Sequence, residues 1–330
     1  MKLGFVSAIL PEFDYRQIMD FADANGFRCV ELMCWPVGKA ERRYGGVTHI
    51  DMDRLDDRAV DEILSYAAER NVEISATSYY PNHLDPDPVR RTFFHEHFKK
   101  VILGAERLGV HNVNTFIGRD QNKNLKDSLE MYRKEWPDLV RFAEDHNVKI
   151  GIESCPMYFT NDEWPAGKNL AGAPRIWREL FSIIDSPNLG INFDPSHFVW
   201  QHMNYIKPIY EFKDKIFHVH IKDAHVYQDR LDEVGPLATP LEYHVPKIPG
   251  LGDVDWGQFV SALRDIKFQG NCCIEVEDYA FEDCLNDRLL ALLQSKAYMD
   301  RYILNPPKDF GVPHLFTEGT FSGSACRIGG

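Results

Sequence analysis

Short, mostly apolar segments alternate with longer amphipathic segments along nearly the whole chain. The apolar segments have the length and composition of buried β-strands, and they lie at residues 3–8, 29–34, 72–78, 113–117, 148–154, 189–194, 216–223 and 272–278. Between them, segments such as residues 58–71 repeat apolar residues three and four positions apart. This spacing predicts helices that pack one face on a sheet.

The boundaries between these segments also carry a pattern. Four predicted helices end in Gly or Asn just before the next strand, in DANGF, AERNV, ERLGV and EDHNV. Both residue types accept the left-handed conformation that ends a helix, so the helix-to-strand turns are predicted to be short. The strand-to-helix connections are long after the second, fifth and seventh strands, at residues 35–54, 155–171 and 224–254.

Eight strands, each followed by a helix, predict an α/β fold with a single (β/α)8 barrel over residues 1–304. In such a barrel the long connections build the active-site face. Residues 305–330 are turn-rich and form a predicted C-terminal extension that would act as a strap, a lid or an oligomer contact. A doubly wound open sheet is the alternative, and it usually has a glycine-rich phosphate-binding turn after the first strand. Here that turn reads SAILPEFD and is not rich in glycine.

Charge and composition narrow the possible partners. The formal net charge is −13, which argues against nucleic acid or an anionic membrane surface as the main partner. Apolar runs stay well short of the about 18 residues of a membrane span, and MKLGFVSAIL reaches Pro11 too early for a signal peptide. The seven cysteines lack zinc-site spacing and several lie in apolar runs. We therefore expect a soluble, cytoplasmic protein.

Four successive strands end in a side chain that can bind a metal ion. They are Glu153, Asp194, His220 and Glu275. Residues two apart share a face of a strand, so all four are predicted to point into the barrel, where unpaired charges would cost several kcal/mol each. A shared cation resolves this cost, and three carboxylates with one imidazole favour Mn2+, with Mg2+ or Co2+ next and zinc still compatible. Two structural alternatives stay open, since Asp194 could cap the next helix and His220 could be a core histidine.

Several motifs in register resemble the xylose-isomerase-like TIM barrel superfamily, in its sugar phosphate isomerase/epimerase branch. They are GIESCPM, NFDPSHFVWQ, FHVHIKDAH, PGLGDVDW and IEVED. The resemblance implies that Glu153, Asp194, His220 and Glu275 form a metal quartet and that His197 binds substrate. It also implies that Glu153 and Glu275 act as the acid/base pair. Members of this branch include ketose 3-epimerases, inosose isomerases and enzymes of 3-keto sugars, and they often form homo-oligomers or pair with a partner subunit.

The resemblance leads to a functional hypothesis. We expect a metal-dependent isomerase or epimerase of a keto sugar, keto-glycoside or cyclitol, in which a glutamate removes a proton next to a metal-bound carbonyl to give an enediolate. A lyase that eliminates a β-leaving group from a 3-keto-glycoside is the alternative, because the same residues support it. An endonuclease IV-like phosphodiesterase and a non-catalytic sugar-binding barrel are less favoured. No cluster of basic residues suited to a phosphate group is evident.

Further substrate contacts are expected from other strand ends and from the long connections. Besides His197, the candidates are His83, Lys222, Trp35 and Asn114. Lys222 lies two residues after His220 and could neutralise negative charge that develops on the substrate oxygen. A solvated lysine and simple aromatic packing are the structural alternatives for Lys222 and Trp35.

Overall fold

A computed structural model of the protein describes residues 1–38, 44–158 and 160–305. The strands among these residues are β1 (Lys2–Val6), β2 (Cys29–Met33), β3 (Glu73–Ser78), β4 (Asn112–Thr115), β5 (Lys149–Glu153), β6 (Leu189–Phe193), β7 (Ile216–Ile221), β8 (Asp223–Val226), β9 (His244–Lys247) and β10 (Asn271–Ile274). The α-helices are α1 (Tyr15–Ala24), α2 (Asp57–Arg70), α3 (Pro88–Arg107), α4 (Leu125–Glu135), α5 (Pro137–Asp145), α6 (Pro174–Ile183), α7 (Ser196–Val199), α8 (Lys207–Glu211), α9 (Gln228–Val234), α10 (Trp256–Asp265) and α11 (Leu285–Met299).

Eight of the strands close into a parallel barrel in the order β1-β10-β7-β6-β5-β4-β3-β2. Each predicted strand segment overlaps one barrel strand, so the (β/α)8 prediction is confirmed. Strands β8 and β9 were not predicted. They form a separate two-stranded antiparallel sheet within the long connection after β7, and each has only four residues, too few to show a clear alternation.

The helix boundaries follow from local chemistry. Carboxylates of Asp14, Asp56 and Asp87 accept backbone N–H groups at the starts of α1, α2 and α3. The four predicted left-handed positions that follow helices are Gly26, Asn71, Gly109 and Asn147, with φ of 72°, 53°, 65° and 52°. These turns return the chain quickly to the amino end of the next strand, which leaves the carboxyl ends for the long connections.

The register of the barrel strands brings the polar residues of β5, β6, β7 and β10 to one end. Asn192 pairs with Glu153 on one side and with His218 on the other, and Cys273 pairs with His220. Asp194 and Glu275 follow directly after their strands, so the four predicted ligands reach the carboxyl end together.

The described chain ends against the opposite end of the barrel. The Asn305 amide donates to the carbonyls of Leu3 at 2.8 Å and of Gly26 at 3.1 Å, and its oxygen accepts the Leu3 N–H at 2.9 Å. The rest of the predicted C-terminal extension, residues 306–330, lies outside the described residues. Of the helices in the described ranges, none has the length and apolar character that crossing a membrane requires.

Candidate metal centre and active site

Four side chains at the carboxyl end of the barrel lie close enough to share one metal ion. Ligand atoms of Glu153, Asp194, His220 and Glu275 all lie within 4.8 Å of one another. The first three are buried, and Glu275 is partly exposed. We call these four residues the metal quartet, and the spatial grouping expected from the strand ends is present.

The two carboxylate oxygens of Asp194 have different surroundings. Its Oδ1 accepts the Ser196 backbone N–H at 2.8 Å, which fixes the turn into α7. Its Oδ2 has no hydrogen-bond partner in the described part of the chain, although the side chain is fully buried. One oxygen therefore holds the turn, and the other faces the quartet, 3.1 Å from both Lys222 Nζ and His197 Nε2.

The ring of His220 is oriented from the opposite side of the barrel. Its Nε2 lies 2.8 Å from Glu31 Oε2, and the Tyr80 hydroxyl donates to Glu31 Oε1 at 2.5 Å. Its Nδ1 lies 3.3 Å from Glu275 and 3.6 Å from Glu153, and makes no hydrogen bond within the described residues. Nε2 also lies 2.9 Å from the Asn192 amide nitrogen, so the ring is held between Glu31 and Asn192 on one side and the quartet carboxylates on the other. A carboxylate behind a histidine in this way is typical of metal sites.

The electrostatics of the centre favour a cation. Burial would raise the pKa of Glu31, but the imidazoles of His220 and His218 outweigh it and lower that pKa to about 2. Burial would lower the pKa of His220, yet Glu31 and Glu275 hold it well above its usual range. Five carboxylates, those of Glu31, Glu153, Asp194, Glu275 and Glu277, surround the two basic groups of His220 and Lys222. Together with the unpartnered Asp194 Oδ2 and His220 Nδ1, this excess of negative charge fits a divalent ion with mostly oxygen ligands.

Lys222 lies at the edge of the quartet. Its ammonium group is 2.7 Å from Glu275, 3.0 Å from Glu277 and 3.1 Å from Asp194. Burial alone would lower the pKa of Lys222, but these carboxylates hold it well above its usual range. The side chain is therefore a buried cation next to two quartet members, and the alternative of a solvated lysine does not apply.

A cavity of about 320 Å³ opens from the quartet towards the long connections. Five residues predicted from the sequence line it: Glu153, Glu275, His197, Lys222 and Trp35. The short helix α7 places His197 one turn after Asp194, with 3.1 Å between His197 Nε2 and Asp194 Oδ2. The outer wall comes from Trp200 and from residues Leu241, His244, Val245 and Pro246 around β9.

Two predicted substrate contacts lie elsewhere. His83 is fully buried, its ring packs at a tilt against Phe98 with 4.6 Å between ring centres, and its Nε2 lies 2.9 Å from the Thr115 hydroxyl. Asn114 is also fully buried, and its side-chain oxygen accepts from Asn112 at 2.8 Å. Neither is part of the described cavity lining. Both were predicted to contact substrate, but His83 lies in the connection after β3, Asn114 lies within β4, and both side chains are in the core.

Sequence analysis missed a residue that positions the β5 strand end. The Asn169 amide donates to the carbonyls of Glu153 at 3.0 Å and Cys155 at 2.7 Å, and its oxygen accepts the N–H groups of Ile117 and Gly118. It thus joins the connections after β4 and β5. A lone Asn in a polar loop gives no local signal of such contacts.

Comparison with known sequences gives a consistent family assignment. The chain matches the family described as xylose isomerase-like TIM barrel over residues 19–301. It is 25% identical over 279 residues to the D-psicose 3-epimerase of Enterocloster bolteae, which covers 79% of this chain and 76% of that protein. It is 24% identical over 312 residues to the protein YfiH of Bacillus subtilis (strain 168), which covers 84% and 93%.

Solved structures show the same barrel. The IOLI protein with a bound zinc atom superposes with a TM-score of 0.68 at 18% identity, covering 92% of this chain and 99% of that chain. The 3-keto-D-glucoside 4-epimerase YcjR from E. coli gives a TM-score of 0.64 at 15% identity, covering 90% and 99%. At these identities the likeness establishes the fold.

Proposed function

The chain belongs to the xylose isomerase-like TIM barrel family, and from that premise we propose that it is a divalent-metal-dependent isomerase or epimerase. Its substrate would be a keto sugar, keto-glycoside or cyclitol, and Mn2+ would be the preferred ion. The similarity to a D-psicose 3-epimerase over most of the chain supports this class of reaction.

One observation carries the proposal. Glu153 and Glu275 approach His220 Nδ1 from different parts of the barrel wall, at 3.6 Å and 3.3 Å, because β6 and β7 separate their strands. Two carboxylates on separate strands, both lining the cavity, can reach one carbon from different sides. One glutamate would remove a proton next to the carbonyl, and the other would return a proton to the same or the neighbouring carbon.

The remaining residues would support this transfer. A divalent ion held by the quartet would supply polarisation of the substrate carbonyl and lower the pKa of the adjacent C–H group. His197 would bind a sugar hydroxyl at the cavity wall, and the Lys222 ammonium would stabilise negative charge on the substrate oxygen. Trp35 would pack against a face of the sugar.

The cavity supports an unphosphorylated substrate. Lys222 is the one Lys or Arg side chain among the described residues that line it, and three carboxylates already surround its ammonium group. A phosphate group would need free cationic donors here. The same charge balance is unfavourable for a nucleic-acid backbone, in line with the net charge of −13.

A lyase acting on a 3-keto-glycoside is the second candidate. The apolar outer wall formed by Trp200, Leu241 and Val245 lies beyond the polar quartet, and it suits a substituent attached to the sugar. Loss of that substituent from the enediolate would give elimination instead of epimerisation.

Proton NMR in D2O tests the proposal. The Mn2+-loaded protein would be incubated with free ketoses, inososes and 3-keto-glycosides, and we expect deuterium to enter the carbon next to the carbonyl. The products then separate epimerase, isomerase and lyase. Absence of exchange with all three groups, despite bound Mn2+, would overturn the proposal.

A further inference from the structure

Cys155 lies in the cavity wall next to the metal quartet and has no part in the proposed reaction. It follows Glu153 by two residues, just after β5, and lines the cavity together with Glu153 and His197. Ligand atoms of these three residues all lie within 4.8 Å of one another. They form a second group of metal-binding atoms, which we call the cysteine triad, and it shares Glu153 with the quartet.

His197 is unusual because its buried ring atoms are not satisfied. Its side chain is only 9% exposed, yet neither ring nitrogen has a hydrogen-bond partner within the described ranges. Its Nε2 is 3.1 Å from Asp194 Oδ2 and 3.7 Å from Glu153 Oε1, without the geometry of a hydrogen bond. Buried imidazole nitrogens normally have partners, so this ring is arranged for a group that the chain itself does not provide.

The sulfur of Cys155 is held in place as an electron donor. The Met157 backbone N–H donates to Cys155 Sγ at 3.3 Å, and Met157 adopts a left-handed conformation with φ 61° that directs this N–H. This contact fixes the sulfur in the group it forms with Glu153 and His197, and sulfur is a ligand that thiophilic metal ions bind.

From these contacts we infer that Glu153, Cys155 and His197 form a second cation site, for a thiophilic divalent ion such as Zn2+. The triad offers one sulfur, one nitrogen and one oxygen, which Zn2+ and Co2+ bind well, whereas the quartet offers mainly oxygen. Three protein ligands with an open side towards the cavity leave a position for water or a substrate oxygen. When an ion binds, the Cys155 thiol proton leaves to solvent and a sulfur–metal bond forms.

Titration of the metal-free, full-length protein with Co2+ tests this inference. We expect two equivalents to bind, and the near-ultraviolet thiolate-to-cobalt charge-transfer band to appear with one of them. Cys155→Ser should remove that band and one equivalent. The exposed Cys284 provides a matched control, and Cys284→Ser should keep both.

Two further variants assign the band to the triad. Glu275→Gln removes a quartet ligand and should keep the band, whereas His197→Asn removes a triad ligand, leaves every cysteine in place and should weaken it strongly. Circular dichroism checks that each variant is folded. A single equivalent without a charge-transfer band in the wild-type protein, or an unchanged band in Cys155→Ser, would overturn the second site.

The second site shares Glu153 and His197 with the site of the proposed function, but the cobalt band and the deuterium exchange test the two separately. Deuterium exchange with Mn2+ but no sulfur–cobalt band would reject the second cation site and leave the proposed function supported. A sulfur–cobalt band without deuterium exchange on any keto sugar would support the second cation site and reject the proposed isomerase activity.

Discussion

Two histidines on the same face of β7 differ in whether their ring nitrogens have hydrogen-bond partners. His218 and His220 are both almost fully buried. Both ring nitrogens of His218 have partners, since Nδ1 lies 3.0 Å from Asn192 Oδ1 and Nε2 lies 3.1 Å from the Ser75 hydroxyl. His220 has Glu31 at one nitrogen, and its other nitrogen faces the carboxylates of the quartet.

The comparison extends to the residues around them. Ser75, Asn192 and His218 form a lower polar layer in which the side chains bind one another. The quartet above it leaves Asp194 Oδ2 and His220 Nδ1 without hydrogen bonds inside the described structure. Burial of a polar side chain thus does not distinguish a ligand from a core residue. Between His218 and His220 the difference is that both ring nitrogens of His218 have hydrogen-bond partners, whereas Nδ1 of His220 has none among the described residues.

The largest effect is expected from Glu153→Gln, which changes a member of the metal quartet. In the proposed reaction Glu153 would both transfer a proton and hold the ion, so loss of its carboxylate should lower the rate of deuterium exchange by about 10²–10⁴-fold. NMR exchange rates at saturating Mn2+ measure the effect. Glu163 is a buried acid in the same connection that binds Thr160 and Lys168, so Glu163→Gln should keep the rate. A normal rate in Glu153→Gln would exclude this residue from catalysis.

Glu31, on β2, lies next to both the metal quartet and the lower polar layer. Its Oε2 is 2.8 Å from His220 Nε2 and 3.6 Å from His218 Nδ1. Glu31→Gln removes the charge that fixes the imidazole proton, and Mn2+ affinity should fall about 10–100-fold. Isothermal titration with Mn2+ measures this change. The thermal unfolding temperature without metal serves as the control for folding. An unchanged affinity would show that His220 does not need Glu31 to bind a metal ion.

The lower polar layer should affect stability and leave metal binding intact. His218→Ala leaves Asn192 Oδ1 and the Ser75 hydroxyl without their partner, which should lower the free energy of unfolding by about 1–3 kcal/mol. Denaturant unfolding of the metal-free protein measures it. The number of Mn2+ ions bound should not change. A loss of bound Mn2+ in this variant would show that His218, like His220, contributes to metal binding.

The smallest effect is expected from Ser75→Ala. It removes the hydrogen bond to His218 Nε2 and the weaker one to Cys273 Sγ, so the free energy of unfolding should fall by roughly 0.5–1.5 kcal/mol. The same unfolding experiment gives the value, with Mn2+ affinity as the comparison. A larger loss of affinity than of stability would place Ser75 functionally with the quartet.

Local sequence determined most of the framework. Strand and helix limits follow from hydrophobic period and from end residues such as Asp56 and Asn71, and these depend on interactions within a few positions. The quartet was also predictable, because parallel barrel strands all end at one rim and residues two apart share a face. These rules need only the order of residues along each strand.

Contacts across the barrel were decided by tertiary structure alone. The pairing of β2 with β3 shifts register between Val30 and Glu31, and that of β6 with β7 shifts between Ile191 and Asn192. Such irregularities change the direction of a side chain, and they occur at two residues that contact His220. His83 and Asn114 also depended on tertiary structure. Their side chains were predicted to contact substrate, but they are fully buried in the core. Alternation along a strand sets the face of a residue, whereas its partner depends on how distant strands meet when the barrel closes.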